Sequence, residues 1–162
     1  MNYKKIICLF IVFFVDQILK YIISINNTSI AIIDNFFYID YSSNTGAAFS
    51  ILSGHNILLI VVSLILCVVL YHFMYSFKDN KYNSIAFGIL FGGILGNLAD
   101  RLFVGYVRDF ISFKIGSYFF PTFNIADMAI IIGVVLIGIS SIKEELSKRG
   151  NKSRGRKKRK AW

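Results

Sequence analysis

Proline occurs once and cysteine twice in 162 residues, and nine acidic residues stand against 18 Lys and Arg. Two cysteines, Cys8 and Cys67, both inside apolar runs, cannot form a disulfide framework, and each reads as apolar gap filling. Almost no hydrophobic segment precedes Cys8, which argues against a lipidation site there. There is no HExxH pair for zinc and no G-x-S-x-G setting for a serine nucleophile. His55 and His72 are isolated and read as interfacial or packing residues, so neither a metal nor another cofactor is expected. Charge is scarce as well, at 17% against 56% hydrophobic and 16% aromatic residues. A soluble domain of this size does not tolerate so apolar a composition, which leaves lipid as the solvent for most of the chain.

A helix crosses a bilayer with about 17 to 25 charge-poor residues. Four runs approach that length, at roughly 6–23, 56–75, 83–102 and 123–142. They leave too little chain for a second core, so residues 1–145 read as one four-span membrane domain and 146–162 as a basic tail. Lys4 and Lys5 before the first run resemble the start of a cleaved signal peptide. Asp16 and Lys20 inside that run, the lack of a small-x-small cleavage site and the three later spans oppose this reading.

Four spans put both termini on one side, and Lys/Arg near span ends mark it as cytoplasmic. Lys4, Lys5, Lys78, Lys81 and the tail from Lys143 agree, whereas the loop 24–55 carries no Lys or Arg. Arg108 and Lys114 in the loop 103–122 are outweighed by the tail. The formal charge of +9 resides mainly in Lys148 to Lys160. That stretch reads as a disordered anchor touching anionic lipid rather than a nucleic-acid site, for which no aromatic or glycine pattern exists.

A rise of about 1.5 Å per residue then gives depth. Counted from Lys5, Asp16 lies ~16 Å and Lys20 ~22 Å in; Asp100 lies ~28 Å from Lys81, and Asp127 ~24 Å from Lys143. The acidic residues of the spans therefore share the outer half. A carboxylate at bilayer depth costs roughly 2.5 kcal/mol or more and persists where it faces protein or water. Three from three helices at one height suggest a built site.

Each member also has a plain structural reading. Asp16 and Lys20, one turn apart, form a self-neutralising pair with Lys20 snorkelling outward, or serve the site. Gly88, Gly92 and Gly96 make a small-residue stripe leading to Asp100, with Gly93 and Asn97 beside it. Asp100 and Arg101 could cap and pair at the interface, with Asn97 giving an interhelical hydrogen bond. Asp109 sits among aromatic and aliphatic neighbours that raise a carboxyl pKa, or is a loop Asp paired with Arg108. Asn124 is a candidate N-cap with Asp127 completing the helix start. Two adjacent carboxyls share a proton, one acting as base toward water and the other as acid toward a carbonyl, which is aspartyl protease chemistry. The residues alone do not choose between Asp100 and Asp109 as a member of such a pair.

Alternating and aromatic stretches at Ile30–Ile33, Phe36–Tyr41 and Ile111–Phe120 predict a small amphipathic sheet on the outer leaflet. Gly46, Ala47 and Ala48 could admit a substrate backbone and Asn44 could hydrogen-bond it, or the segment is a simple turn.

In order along the chain stand Asp16-Gln17-x-x-Lys20, Asn44-x-Gly46-Ala47-Ala48-Phe49, Gly92-Gly93-x-x-Gly96-Asn97-x-x-Asp100-Arg101, Val107-x-Asp109-Phe110 and Phe123-Asn124-x-Ala126-Asp127. This series resembles the bacterial lipoprotein signal peptidases (signal peptidase II), over nearly all the chain up to the tail. The resemblance implies an all-α membrane protein: a four-transmembrane-helix bundle with a small extracytoplasmic β-cradle and both termini cytoplasmic. It implies an aspartic endopeptidase of the bacterial cytoplasmic (inner) membrane, cleaving diacylglyceryl-modified prolipoproteins just before the lipidated Cys at the outer leaflet. It maps the catalytic pair onto Asp109 and Asp127. Asp16, Lys20, Asn44, Gly46, Gly93, Asn97, Asp100, Arg101, Asn124 and Ala126 take supporting or substrate-binding roles, and globomycin-type cyclic peptides are implied as inhibitors. Arg108 departs from the family, which usually has an aliphatic residue there. A guanidinium beside Asp109 would hinder proton sharing, so Arg108 is expected to point to lipid headgroups.

A proton-coupled transporter is the rival from another class, since intramembrane Asp, Asn and Lys also build proton relays. It needs polar groups along a path to both sides, and the inner halves of the first, third and fourth spans are almost wholly apolar. A scaffold assembled through the glycine stripe leaves the carboxylate cluster unexplained.

Overall fold

The structure, a computed structural model, describes residues 3–27, 29–46 and 51–159, with side chains described as far as Arg149. Among the described residues the helices are α1 (Tyr3–Asn26), α2 (Asn56–Met74), α3 (Lys81–Phe103) and α4 (Ile125–Arg159), and the strands are β1 (Ser29–Ile33), β2 (Phe37–Asn44), β3 (Val107–Ile115) and β4 (Tyr118–Phe119). All of these helices contain stretches long and apolar enough to cross a membrane. The strands lie in the two connections expected to be β-rich, and form one antiparallel sheet in the order β1-β2-β3-β4. An all-α label therefore understates the fold.

α3 is the central helix. Of its most apolar window 67% is buried, against 11% for α1 and α2 and 22% for α4, so the other helices turn most of their apolar surface outward. α1 and α4 pack extensively on α3 and α2 does so more lightly. The glycine stripe explains the α1 contact. A Cβ on Gly88 would come 2.6 Å from Lys5 O, one on Gly92 2.7 Å from Leu9 O, and one on Gly96 2.7 Å from Asp16 Oδ2. With no Cβ in the way, the backbones meet directly. Gly93, one residue round the helix, faces α4 instead, where a Cβ would lie 2.5 Å from Ala126 O.

Met74, Phe87, Leu90, Ile94 and Ile137 form the buried core between the helices. A second cluster, Ile23, Phe110 and Ile111 with Phe37, Phe113 and Phe123 packed on it, fastens the sheet to the ends of α1 and α4. α4 extends to Arg159, into the basic stretch that follows the spans. Good helix formers and an i,i+4 pair of Arg149 with Glu145 at 2.9 Å favour that continuation as far as Arg149.

Candidate active site

The site forms where β3 meets the start of α4. Phe123, just before α4, forms a bridge with Ile111 of β3, its N–H donating to Ile111 O at 3.0 Å and its carbonyl accepting from Phe110 and Ile111. This pairing brings Asn124 and the first turn of α4 against Asp109. Asn124 caps α4 reciprocally with Asp127: Asp127 N–H donates to Asn124 Oδ1 at 2.9 Å, and Asn124 N–H to Asp127 Oδ2 at 3.2 Å. The capping reading of these residues is thus correct, and it does not compete with the site. Asn124 Nδ2 also donates to Asp109 Oδ1 at 2.6 Å.

Asp109 and Asp127 face one cavity of about 560 Å³, lined also by Asn44, Asn97, Arg101 and Phe123. Both carboxylates receive neutral donors. Asp109 Oδ2 accepts from Asn44 Nδ2 at 3.0 Å, and Asp127 Oδ1 from Asn97 Nδ2 at 2.7 Å. Asp109 is 2% exposed, and burial, followed by the neighbouring Asp127 charge, pushes its pKa up to about 7. The donors from Asn44 and Asn124 pull the other way without prevailing.

Asp16 and Asp100 belong to a separate ion-pair cluster between α1, α3 and β3. Lys20 Nζ reaches Asp16 Oδ2 at 2.9 Å, Asp100 Oδ2 at 3.3 Å and Asn97 Oδ1 at 2.9 Å. The expected Asp16–Lys20 pair exists, but Lys20 does not snorkel: it is fully buried, because two carboxylates and an amide surround its charge inside the bundle. Asp100 pairs with Lys20 and Arg108, and not with Arg101.

The expectation that Arg108 points to lipid headgroups is wrong. Its Nη2 lies 2.6 Å from Asp100 Oδ1 and 3.0 Å from Gln17 Oε1. Successive strand residues point to opposite sides, so Arg108 and Asp109 enter different clusters. For the same reason the alternative of an Asp109–Arg108 pair fails. Buried partners, rather than headgroups, satisfy the guanidinium.

Asn97 joins the two layers: its Oδ1 accepts from Lys20 and from Asn124 Nδ2 at 3.2 Å, while its Nδ2 holds Asp127. Arg101 donates from Nη2 to Gly46 O at 2.9 Å, and Gly46 N–H donates to Asn44 Oδ1 at 2.9 Å, so both pin the strand-end segment beside the cavity. The Asn44 amide, which lines the cavity, thus spends one N–H and one acceptor position within the protein. Ala47 and Ala48 lie outside the described residues. Ala126, fully buried, donates its N–H to Asp16 Oδ1 at 2.8 Å, and Gly93 lets α4 approach at that level.

Gln17 stands in the first motif, but the sequence reading gives it no role of its own. It donates to Gly96 O at 3.0 Å and to Asp100 Oδ1 at 3.3 Å, and accepts from Arg108. Its signal is a polar amide inside an apolar span, which needs a partner there.

The family model described as signal peptidase (SPase) II matches residues 8–143. Curated relatives include the lipoprotein signal peptidases of Staphylococcus aureus strains JH9 and Newman, each 40% identical over 150 residues, covering 89% of this chain and 90% of theirs. A solved structure described as a bacterial membrane enzyme, obtained by the in meso method at 2.3 Å resolution, is 38% identical with a TM-score of 0.78, covering 89% of this chain and 90% of its own. A second, described likewise at 1.9 Å, is 39% identical with a TM-score of 0.73, covering 86% and 92%. Nothing among these relatives supports the transporter reading.

Proposed function

Because the chain belongs to the signal peptidase II family, a family of aspartic-type peptidases, we propose that Asp109 and Asp127 are its catalytic pair and that it cleaves diacylglyceryl-modified prolipoproteins just before the lipidated Cys. The observation that carries this reading is the convergence of two carboxylates, from a strand and a helix start, on one cavity, with Asp109 raised to about 7. A carboxyl with that value keeps a substantial protonated fraction near neutral pH, as the acid of a carboxyl pair must.

In the reaction, one carboxylate takes a proton from a water molecule as its oxygen attacks the scissile carbonyl, and the protonated carboxyl donates to the carbonyl oxygen. The resulting gem-diol collapses, the amide nitrogen receives a proton from the dyad, and the C–N bond breaks. Asn44, Asn97 and Asn124 hold the carboxyls in place through neutral donors, so they orient the pair without adding a cation to it. Asp16, Lys20, Asp100 and Arg108 form the base on which Asn97 rests.

The distribution of Lys and Arg supports placing both termini in the cytoplasm of a bacterium and the cavity at the outer leaflet of its cytoplasmic membrane. A lipid-modified substrate then keeps its acyl chains in that leaflet while its peptide enters the cavity. Globomycin-type cyclic peptides would compete for that cavity. Purified protein in liposomes, given a prolipoprotein with and without its diacylglyceryl group, is expected to cleave only the modified form. Equal cleavage of both, or of neither, contradicts the proposed substrate.

A further inference from the structure

The end of the bundle remote from the carboxylates carries a second cleft, of about 700 Å³, between the start of α3 and the middle of α4. From Tyr82 in this cleft to Asn97 in the site is ~22 Å along α3, so the two are separate. Lys78, Asn80, Ser140, Lys143, Glu144 and Ser147 supply its polar groups, whereas Ile85, Leu136 and Ile139, further into the spans, supply an apolar wall. A smaller cavity of about 140 Å³ shares Lys78 and is lined also by Lys5, Asp79 and Asn83.

Charge at this end is unbalanced. No carboxylate pairs with Lys5, Lys78 or Lys143 among the described residues, although Lys5 is only 7% exposed. The two acidic neighbours are turned to neutral donors: Glu144 Oε1 accepts from Asn83 Nδ2 at 3.4 Å, and Asp79 Oδ1 from Ser84 Oγ at 3.1 Å. Asn83, 3% exposed, also donates to Lys78 O at 2.8 Å and accepts from Ser140 Oγ at 2.5 Å. This buried amide thereby fixes the connection bearing Lys78 to α4, which bears Lys143.

We propose that this cleft binds an acidic glycerophospholipid of the adjoining leaflet, with its phosphate held by Lys78 and Lys143 and an acyl chain along Ile85, Leu136 and Ile139. Basic pockets between membrane helices attract anionic headgroups, and the apolar wall gives a lipid an advantage that a free phosphate lacks. The inference is independent of the peptidase reaction.

Protein in neutral detergent, titrated in native mass spectrometry with phosphatidylglycerol, with phosphatidylcholine of the same chains and with glycerol 3-phosphate, tests it. Phosphatidylglycerol is expected to bind saturably and more tightly than phosphatidylcholine, and millimolar glycerol 3-phosphate is expected not to displace it. Lys78→Gln with Lys143→Gln should weaken phosphatidylglycerol binding by roughly thirtyfold, whereas replacing the basic residues beyond Arg149 with Gln should leave it nearly unchanged. Ile139→Trp, which narrows the apolar wall and changes no charge, should also weaken it, and keeps the test decisive if the double variant does not fold. Equal binding of the two lipids, displacement by glycerol 3-phosphate, full affinity in the double or the Trp variant, or a loss on neutralising the tail overturns the proposal.

Discussion

Arg108 binds Asp100 from two sides at once: its Nη2 lies 2.6 Å from Oδ1 while its own backbone N–H donates to Oδ2 at 2.9 Å. Lys20 approaches Oδ2 from α1 at 3.3 Å, so Asp100 is saturated by cations and donors. Asp109, one residue along the strand, accepts hydrogen bonds from the neutral amides of Asn44 and Asn124, and the charge of Asp127 acts on it more strongly than the cation of Lys20. That contrast is a physical ground for reading Asp100 as support and Asp109 as the proton-sharing group.

Replacing Arg108 with Leu strips Asp100 of one buried partner. Breaking a buried pair from one side costs roughly 3 kcal/mol, so the thermal midpoint should fall by several degrees. Asp100→Asn in the same chain should recover part of the loss by removing the uncompensated charge. Strictly additive effects of the two changes would contradict the pairing.

A methyl group at Gly93 has no room. Gly93→Ala would place Cβ 2.5 Å from Ala126 O, next to Asp127, and force α3 and α4 apart. Overpacking of this kind costs about 1–3 kcal/mol, and turnover should fall further than stability because the shift falls on the carboxylate. By contrast Gly138, where a Cβ would meet no heavy atom within 4 Å, should tolerate Ala. Cleavage rates and melting curves of the two variants distinguish these outcomes.

The pH profile follows from Asp109. Burial and Asp127 raise it to about 7, so the shared proton is held below that value and lost above it. Turnover should therefore decline on the alkaline side with an apparent pKa near 7 that belongs to the pair. Asn44→Ala removes a donor that favours the carboxylate, so the decline should move to higher pH. A shift to lower pH would contradict the role given to that amide.

The sequence revealed the spans because about twenty apolar residues in a row have one explanation, and it revealed the glycine stripe because period four is helical. Depth counting placed the carboxylates in one layer. It could not divide that layer, because a side chain's partners depend on which face of a helix or strand it leaves from. Arg108 illustrates the limit: proximity in sequence set it beside Asp109, while strand alternation sent it to Asp100 and Gln17. Lys20 illustrates another, since a lone lysine is expected to snorkel and a second carboxylate that holds it inside, Asp100, comes from a different helix.

The central claim is that Asp109 and Asp127 together perform the cleavage. Single-turnover cleavage of a diacylglyceryl-modified prolipoprotein by Asp109→Asn and by Asp127→Asn, each shown to be folded by its melting curve, tests it most directly. Both variants are expected to lose turnover by several orders of magnitude, while Asp100→Asn keeps measurable activity in proportion to its folded fraction. Activity near that of the parent in either Asn variant contradicts the account.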